Sequence, residues 1–161
     1  MIILGIDPGI ATTGYGVIEK KGSQFYLHQY GIISTKPTLE FSKRLLQLSM
    51  ELNTLIDTYC PTDIAVEELF FNTNVKTAII VAQARGVILL CAEKSKKNVA
   101  SYTPLQVKSS VCGYGRAEKK QVQYMVQKLL NMKELPKPDD AADALAIAIC
   151  HAHSYKIKSL K

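Results

Sequence analysis

The chain has 161 residues, of which 47% are hydrophobic and 21% charged. This balance suits one globular domain with a single substantial core and excludes disorder. The net charge of +6 favours polyanionic partners, because each neutralised phosphate releases condensed counterions.

Ile2 to Ile6 is a β-branched run that meets Asp7. Gly14 and Gly16 read as punctuation of a turn, and Tyr15 to Glu19 and Phe25 to Ile33 as two further strands of an antiparallel meander. Phe41, Leu45, Leu48, Leu52, Ile56 and Tyr59 recur at steps of four and three, which predicts a helix stopped by Pro61. Asp63 to Val66 is a fourth strand leading to Glu67 and Glu68. Val75 to Glu93 is a second helix with Ala78, Ala82 and Gly86 spaced four apart, a stripe that suits core packing or a subunit interface. Asn98 to Tyr102 is a fifth strand. Thr103-Pro104 reads as an N-cap with proline at the first helical position, and Gly113 ends that helix. A basic glycine loop, Gly113-Tyr114-Gly115-Arg116, precedes a helix expected over Ala117 to Asn131. A last helix is expected from about Asp139 to Ser154. Three antiparallel strands followed by alternating helix and strand predict an α/β fold, a mixed five-stranded sheet with helices on both faces, in the ribonuclease H-like order. The domain is expected to span 1–155, with a solvated basic tail over 156–161.

The opening MIILGIDPG lacks a basic n-region and a long apolar stretch, and no run long enough to cross a membrane follows. A cytoplasmic protein without a membrane segment is therefore expected. Cys60, Cys91, Cys112 and Cys150 are widely separated with no C-x-x-C. Buried, reduced thiols are expected rather than a zinc site or disulfides. His28, His151 and His153 show no ligand spacing, and the last two, at i and i+2 of a helix, point apart.

The carboxylates carry the chemistry. Asp7 and Glu67 end two strands that this topology makes neighbours, and ligand sites gather at strand ends in open sheets. Asp7 before Pro8-Gly9 is also a natural turn former, and Asp139 and Asp140 also suit a helix N-terminus. Asp143 sits inside AADALAIAIC, apolar on nearly every side, where a carboxylate needs a cation, a proton or a partner. Asp140 and Asp143 share a helical face at i, i+3, and Asp139 and Asp143 share one equally well at i, i+4. Clustered carboxylates without His or Cys suit Mg²⁺, and phosphodiester hydrolysis benefits from two such cations.

Four segments, MIILGIDPGIATTGYGVIE, AVEELFFNTN…AQARGVILL, TPLQVKSSVCGYGRAEKKQV and DDAADALAIAICHAH, resemble in order the signatures of the RuvC Holliday junction resolvases. The resemblance implies that Asp7, Glu67, Asp140 and Asp143 form a metal-binding tetrad, and it selects Asp140 over Asp139. It implies Mg²⁺, with Mn²⁺ as a substitute and two ions per site, and paired symmetric nicks in four-way junction DNA. It also implies a homodimer working with the RuvA–RuvB branch-migration complex. Lys108 and Lys119 match the family's functional lysines, and Arg116 is a further DNA-binding candidate in the glycine loop. Adjacent Phe70 and Phe71 cannot both face the core, and the resemblance assigns to Phe70 the role of an exposed ring that stacks on an unpaired base. Where the family commonly has Ser-Arg, this chain has Ile10-Ala11, which removes a polar or cationic contact to DNA.

Two other readings stand beside this one. Ile6-Asp7-x-Gly with Thr12-Thr13-Gly14 resembles the phosphate loop of actin-like ATPases and sugar kinases, although those enclose nucleotide between two domains. A non-catalytic DNA-binding module would explain the charge but not Asp143. Metal-dependent cleavage of a junction, set against duplex DNA and ATP, separates the three.

Overall fold

The computed structural model describes residues 1–68 and 75–158. An antiparallel meander of β1 (Ile2–Asp7), β2 (Thr12–Lys21) and β3 (Gln24–Ser34) opens the fold. There follow α1 (Phe41–Tyr59), β4 (Asp63–Glu67), α2 (Val75–Lys94), β5 (Asn98–Tyr102), α3 (Pro104–Cys112), α4 (Lys119–Leu129) and α5 (Asp139–Lys158). The five strands make one sheet in the order β3-β2-β1-β4-β5, with β4 parallel to both β1 and β5. This is the expected mixed α/β sheet.

Strand alternation sorts the core into two layers. Leu4, Ile6, Val17, Ile64 and Val66 face α1 and α2, where Leu48, Leu52, Ile56, Ala84 and Ile88 pack on them. Ile3, Ile18 and Ala65 face α3, α4 and α5 on the opposite side. Helix α5 is buried nearly throughout from Ala141 to Ala152, which accounts for its apolar composition on every face.

Local signals fix several ends. Cys60 closes α1 in the left-handed conformation just before Pro61, and Thr103 and Gln106 form a capping box at α3. Gly113 ends α3 at φ +84°, a value that favours glycine. Helix α4 is shorter than expected because Glu118 caps it and Ala117 is buried outside it. Helix α5 runs to Lys158, beyond the expected Ser154. The cysteines are free, with Cys91 and Cys150 buried, but Cys60, expected inside, is exposed at the end of α1.

One expectation is overturned in an informative way. Gly14 and Gly16 lie within β2, paired with Asp7 and Gly5 of β1, and not in a turn. The glycines are there because α5 crosses the two strands at backbone distance. A Cβ on Gly5 would collide with the Ala144 carbonyl and sit 2.8 Å from the Ala148 nitrogen. A Cβ on Gly14 would collide with the carbonyl of Asp140.

Gly5→Ala is therefore expected to destabilise the fold by about 3 kcal/mol or more, the upper range for overpacking a filled core. Denaturant unfolding of the variant checks this, and an unchanged midpoint would mean that α5 is free to lift.

Candidate active site

The parallel register of β1 and β4 builds the first half of the site. Ile6 pairs with Val66, so the two strands end side by side on Asp7 and Glu67. Helix α5 builds the second half, because its first turn rests on Gly14, the residue paired with Asp7. Asp140 and Asp143 are thereby brought to the end of β1.

The electrostatics record the crowding. Burial, followed by the charges of Glu67, Asp143 and Asp140, pushes the Asp7 carboxyl up to about 8. Burial and then Asp143 raise Glu67 as well, opposed by a hydrogen bond from Asp7 and by the charges of Lys119 and Lys108. Burial also raises Asp143, against the pull of Lys119. Lys119, the first residue of α4, reaches Asp143 at 3.0 Å and Asp139 at 3.4 Å. Burial pulls the Lys119 ammonium down, but these two acids outweigh it and leave it raised. Asp139 is exposed and shares Lys119 with Asp143: Gln123 donates to it at 2.9 Å, and that bond, then Lys119, holds its carboxyl low.

A cavity of about 180 Å³ adjoins the acids, lined by Glu67 and Asp143, by Lys108 and Lys119, and by apolar Val107 and Val122. A larger groove of about 920 Å³, between the start of β3 and the segment after α4, lies at the far end of the sheet and contains no carboxylate cluster. Size does not mark the site; converging charge does. Among the described residues, no three acidic, histidine or cysteine side chains are gathered closely enough to make a ready metal cage. The donors nevertheless fit a hard cation: all are carboxylate oxygens, and their mutual repulsion is what a divalent ion relieves.

Other candidates fall as follows. Arg116 is exposed in the loop after Gly113 and does not line the cavity. Glu68 is exposed, and its N–H donates to the Tyr102 carbonyl at 2.9 Å. Phe70 and Phe71 lie outside the described residues. Ile10 is buried in the core layer of α1 and α2, and Ala11 is exposed. His151 packs between Asp63, at 3.6 Å, and the Tyr102 hydroxyl, at 2.8 Å, inside the core. The sequence reading missed Arg85, which donates to the Glu67 carbonyl at 3.2 Å. Its signal was available: it is the single charge between Ala78 and Ala92.

A meander-first mixed sheet with acids at the ends of β1 and β4 and on the helix crossing them defines a ribonuclease H-like nuclease. The family model of the crossover junction endodeoxyribonuclease RuvC matches residues 3–151. A RuvC of Alkaliphilus metalliredigens is 54% identical over 160 residues, 99% of this chain and 98% of its own. The Thermus thermophilus RuvC structure superposes with a TM-score of 0.91 at 35% identity, covering 98% of this chain and 97% of that one. T. thermophilus RuvC in complex with Holliday junction substrate gives 0.90 at 32% identity, covering 98% and 96%. This chain belongs to the RuvC family of crossover junction endodeoxyribonucleases.

The raised Asp7 carboxyl has a consequence for stability. A carboxyl that holds its proton more tightly folded than unfolded makes stability fall as pH rises from about 3.8 towards about 8. Asp7→Asn removes this loss, so in EDTA the variant should melt above the parent at pH 8 and nearer to it at pH 5. A gain of a few degrees corresponds to about 1–2 kcal/mol, at roughly 2–4 °C per kcal/mol for a domain of this size. A variant that melts lower at pH 8 would show Asp7 to be a stabilising residue.

Proposed function

We propose that this chain resolves four-way DNA junctions by paired symmetric nicks, through metal-dependent hydrolysis of phosphodiester bonds in recombination and repair. The convergence of Asp7, Glu67, Asp140 and Asp143 in a member of the RuvC family carries the reading. Mg²⁺, or Mn²⁺ in its place, with two ions per site, would activate a water and neutralise the leaving oxygen. Asp7, Glu67, Asp140 and Asp143 would hold the ions through carboxylate oxygens. Membership of the RuvC family sets the actin-like ATPase reading aside.

The remaining residues handle the polyanion. Lys119 exchanges its carboxylate partners for a phosphate at the scissile strand, and Lys108, on the same cavity, stabilises charge there. Arg116 contacts backbone further out. Phe70, three positions beyond Glu67, offers the ring for stacking, worth about 1–3 kcal/mol per base. Burial of Ile10 leaves Lys108, Lys119 and Arg116 to supply the cationic contacts that Ser-Arg would provide at that loop.

Two symmetric nicks need two sites, hence a homodimer. The outer face of α2 suits pairing: Ile79 is 53% exposed and Leu90 55%, and Gly86 between them has open space around it. Leu46 and Met50 of α1, the helix packed beside α2, are exposed apolar side chains as well. The RuvA–RuvB branch-migration complex is the partner that would deliver the junction.

Single-turnover cleavage of a four-way junction at saturating Mg²⁺ tests the centre. Glu67→Gln, Asp140→Asn and Asp143→Asn are each expected to lower the rate by several orders of magnitude while junction binding persists. Asp139→Asn should remain active; a dead Asp139→Asn beside an active Asp140→Asn would overturn the tetrad. Lys119→Ala should slow cleavage and flatten the salt dependence of binding by roughly one phosphate.

The dimer has its own test. Gly86→Glu meets only open space within one chain, so the fold should survive while sedimentation shows monomers. A dimer that persists would place the interface elsewhere.

A further inference from the structure

We infer that Arg85 is a positioning residue for the nuclease centre: its guanidinium fixes the backbone at Glu67 and so sets where the Glu67 carboxylate is presented. The inference rests on the reading of Glu67 as a metal ligand.

The segment Ala78 to Ala92 of α2 contains one charge, Arg85. A cation in such a run needs acceptors nearby. Among the described residues it has two, on adjacent parallel strands. Nε donates to the Glu67 carbonyl at 3.2 Å, and Nη2 donates to Ser101 Oγ at 2.7 Å. Val66 pairs with Ser101 and Glu67 with Tyr102, so the guanidinium spans the ends of β4 and β5.

The position matters because Glu67 is the last residue of its strand. The ladder between β1 and β4 stops at Ile6 and Val66, and the Glu67 carbonyl lies beyond it. Arg85 supplies a donor there and ties the strand end to Ser101. The charges of Lys119 and Lys108 lower the Glu67 carboxyl, whereas Arg85 contacts the backbone carbonyl of Glu67 and not its carboxylate. The action of Arg85 is therefore geometric. A planar fork satisfies two acceptors held at a fixed spacing, whereas an ammonium is a point charge. A site of this kind must hold its ligands within about 0.5 Å.

Mn²⁺ affinity, read from the electron paramagnetic resonance of free Mn²⁺ without DNA, tests this on the full chain. Arg85→Met is expected to weaken Mn²⁺ binding by roughly tenfold, the lower range for losing a partner that orients a ligand. The Mg²⁺ midpoint of single-turnover cleavage should move by the same factor, and junction affinity in EDTA should not change. Arg85→Lys should fall between parent and Met, and Ser101→Ala should shift in the same direction by less. A folded Arg85→Met with parental Mn²⁺ affinity overturns the inference. So does a uniform loss of rate at every Mg²⁺ concentration with an unmoved midpoint, which is packing damage. If Arg85→Met fails to fold, parental affinity in both Arg85→Lys and Ser101→Ala overturns it equally. Glu67→Gln separates the two levels. Parental Mn²⁺ affinity there overturns the metal-ligand reading together with the inference. Weakened affinity there beside unaffected Arg85 variants sinks the inference alone.

Discussion

The close approach of α5 to the backbone of β1 and β2 is the constraint on which the rest depends. Two glycines permit it: Gly5 meets Ala144 and Ala148, and Gly14 meets Asp140. With side chains there the helix would stand off, and its acids would leave the end of β1. The same contact lets α5 close one core layer and deliver half of the candidate centre. Packing and chemistry are a single arrangement here, since the helix that seals Ile3 and Ile18 from water also carries Asp140 and Asp143.

The candidate centre works against the stability of the chain that contains it. Three of its acids are raised by burial; Asp7 is raised further by Glu67, Asp143 and Asp140, and Asp143 by Asp139 and Asp140. Such crowding persists only where the surrounding structure fixes it, and functional sites are where it is found. Lys119 offsets part of it. Its ammonium lies between Asp143 and Asp139, and it is about half exposed, so it can exchange one anion for another without unfolding anything. Asp139 and Gln123 give it a resting contact outside the cluster.

Much of the architecture was legible because each element repeats its signal. The step of three and four in α1, the Thr103 N-cap with Pro104 at the start of α3 and the β-branched run of β1 each follow from local rules. The strand ends at Asp7 and Glu67 were legible for the same reason. Gly14 and Gly16 were misread as a turn because glycine looks alike in a turn and under a crossing helix; only the partner distinguishes them. Helical periodicity could not choose between Asp139 and Asp140. The fold separates their surroundings, with Asp140 adding to the field on Asp7 and Asp139 bound to Gln123 and Lys119. Arg85 stood out in sequence as the single charge between Ala78 and Ala92, but its acceptors, a carbonyl and a hydroxyl, leave no pattern there, so its role was not legible. Cys60 was expected inside on composition alone, but its place at the end of α1 puts it outside.

The docking of α5 also bears on when activity can arise during synthesis. Asp7 and Asp140 are brought together from opposite ends of the described chain, and the ribosome makes the whole sheet before it makes α5. Until that helix emerges, the nascent sheet lacks Asp140 and Asp143 and its face of Ile3, Ile18 and Ala65 lacks the α5 part of its cover. On the proposed reading of the centre, a partial chain would lack half of its acids and expose apolar surface, as expected for a fold that depends on contacts distant in sequence. Nuclease competence and escape from aggregation would then arrive in the same step.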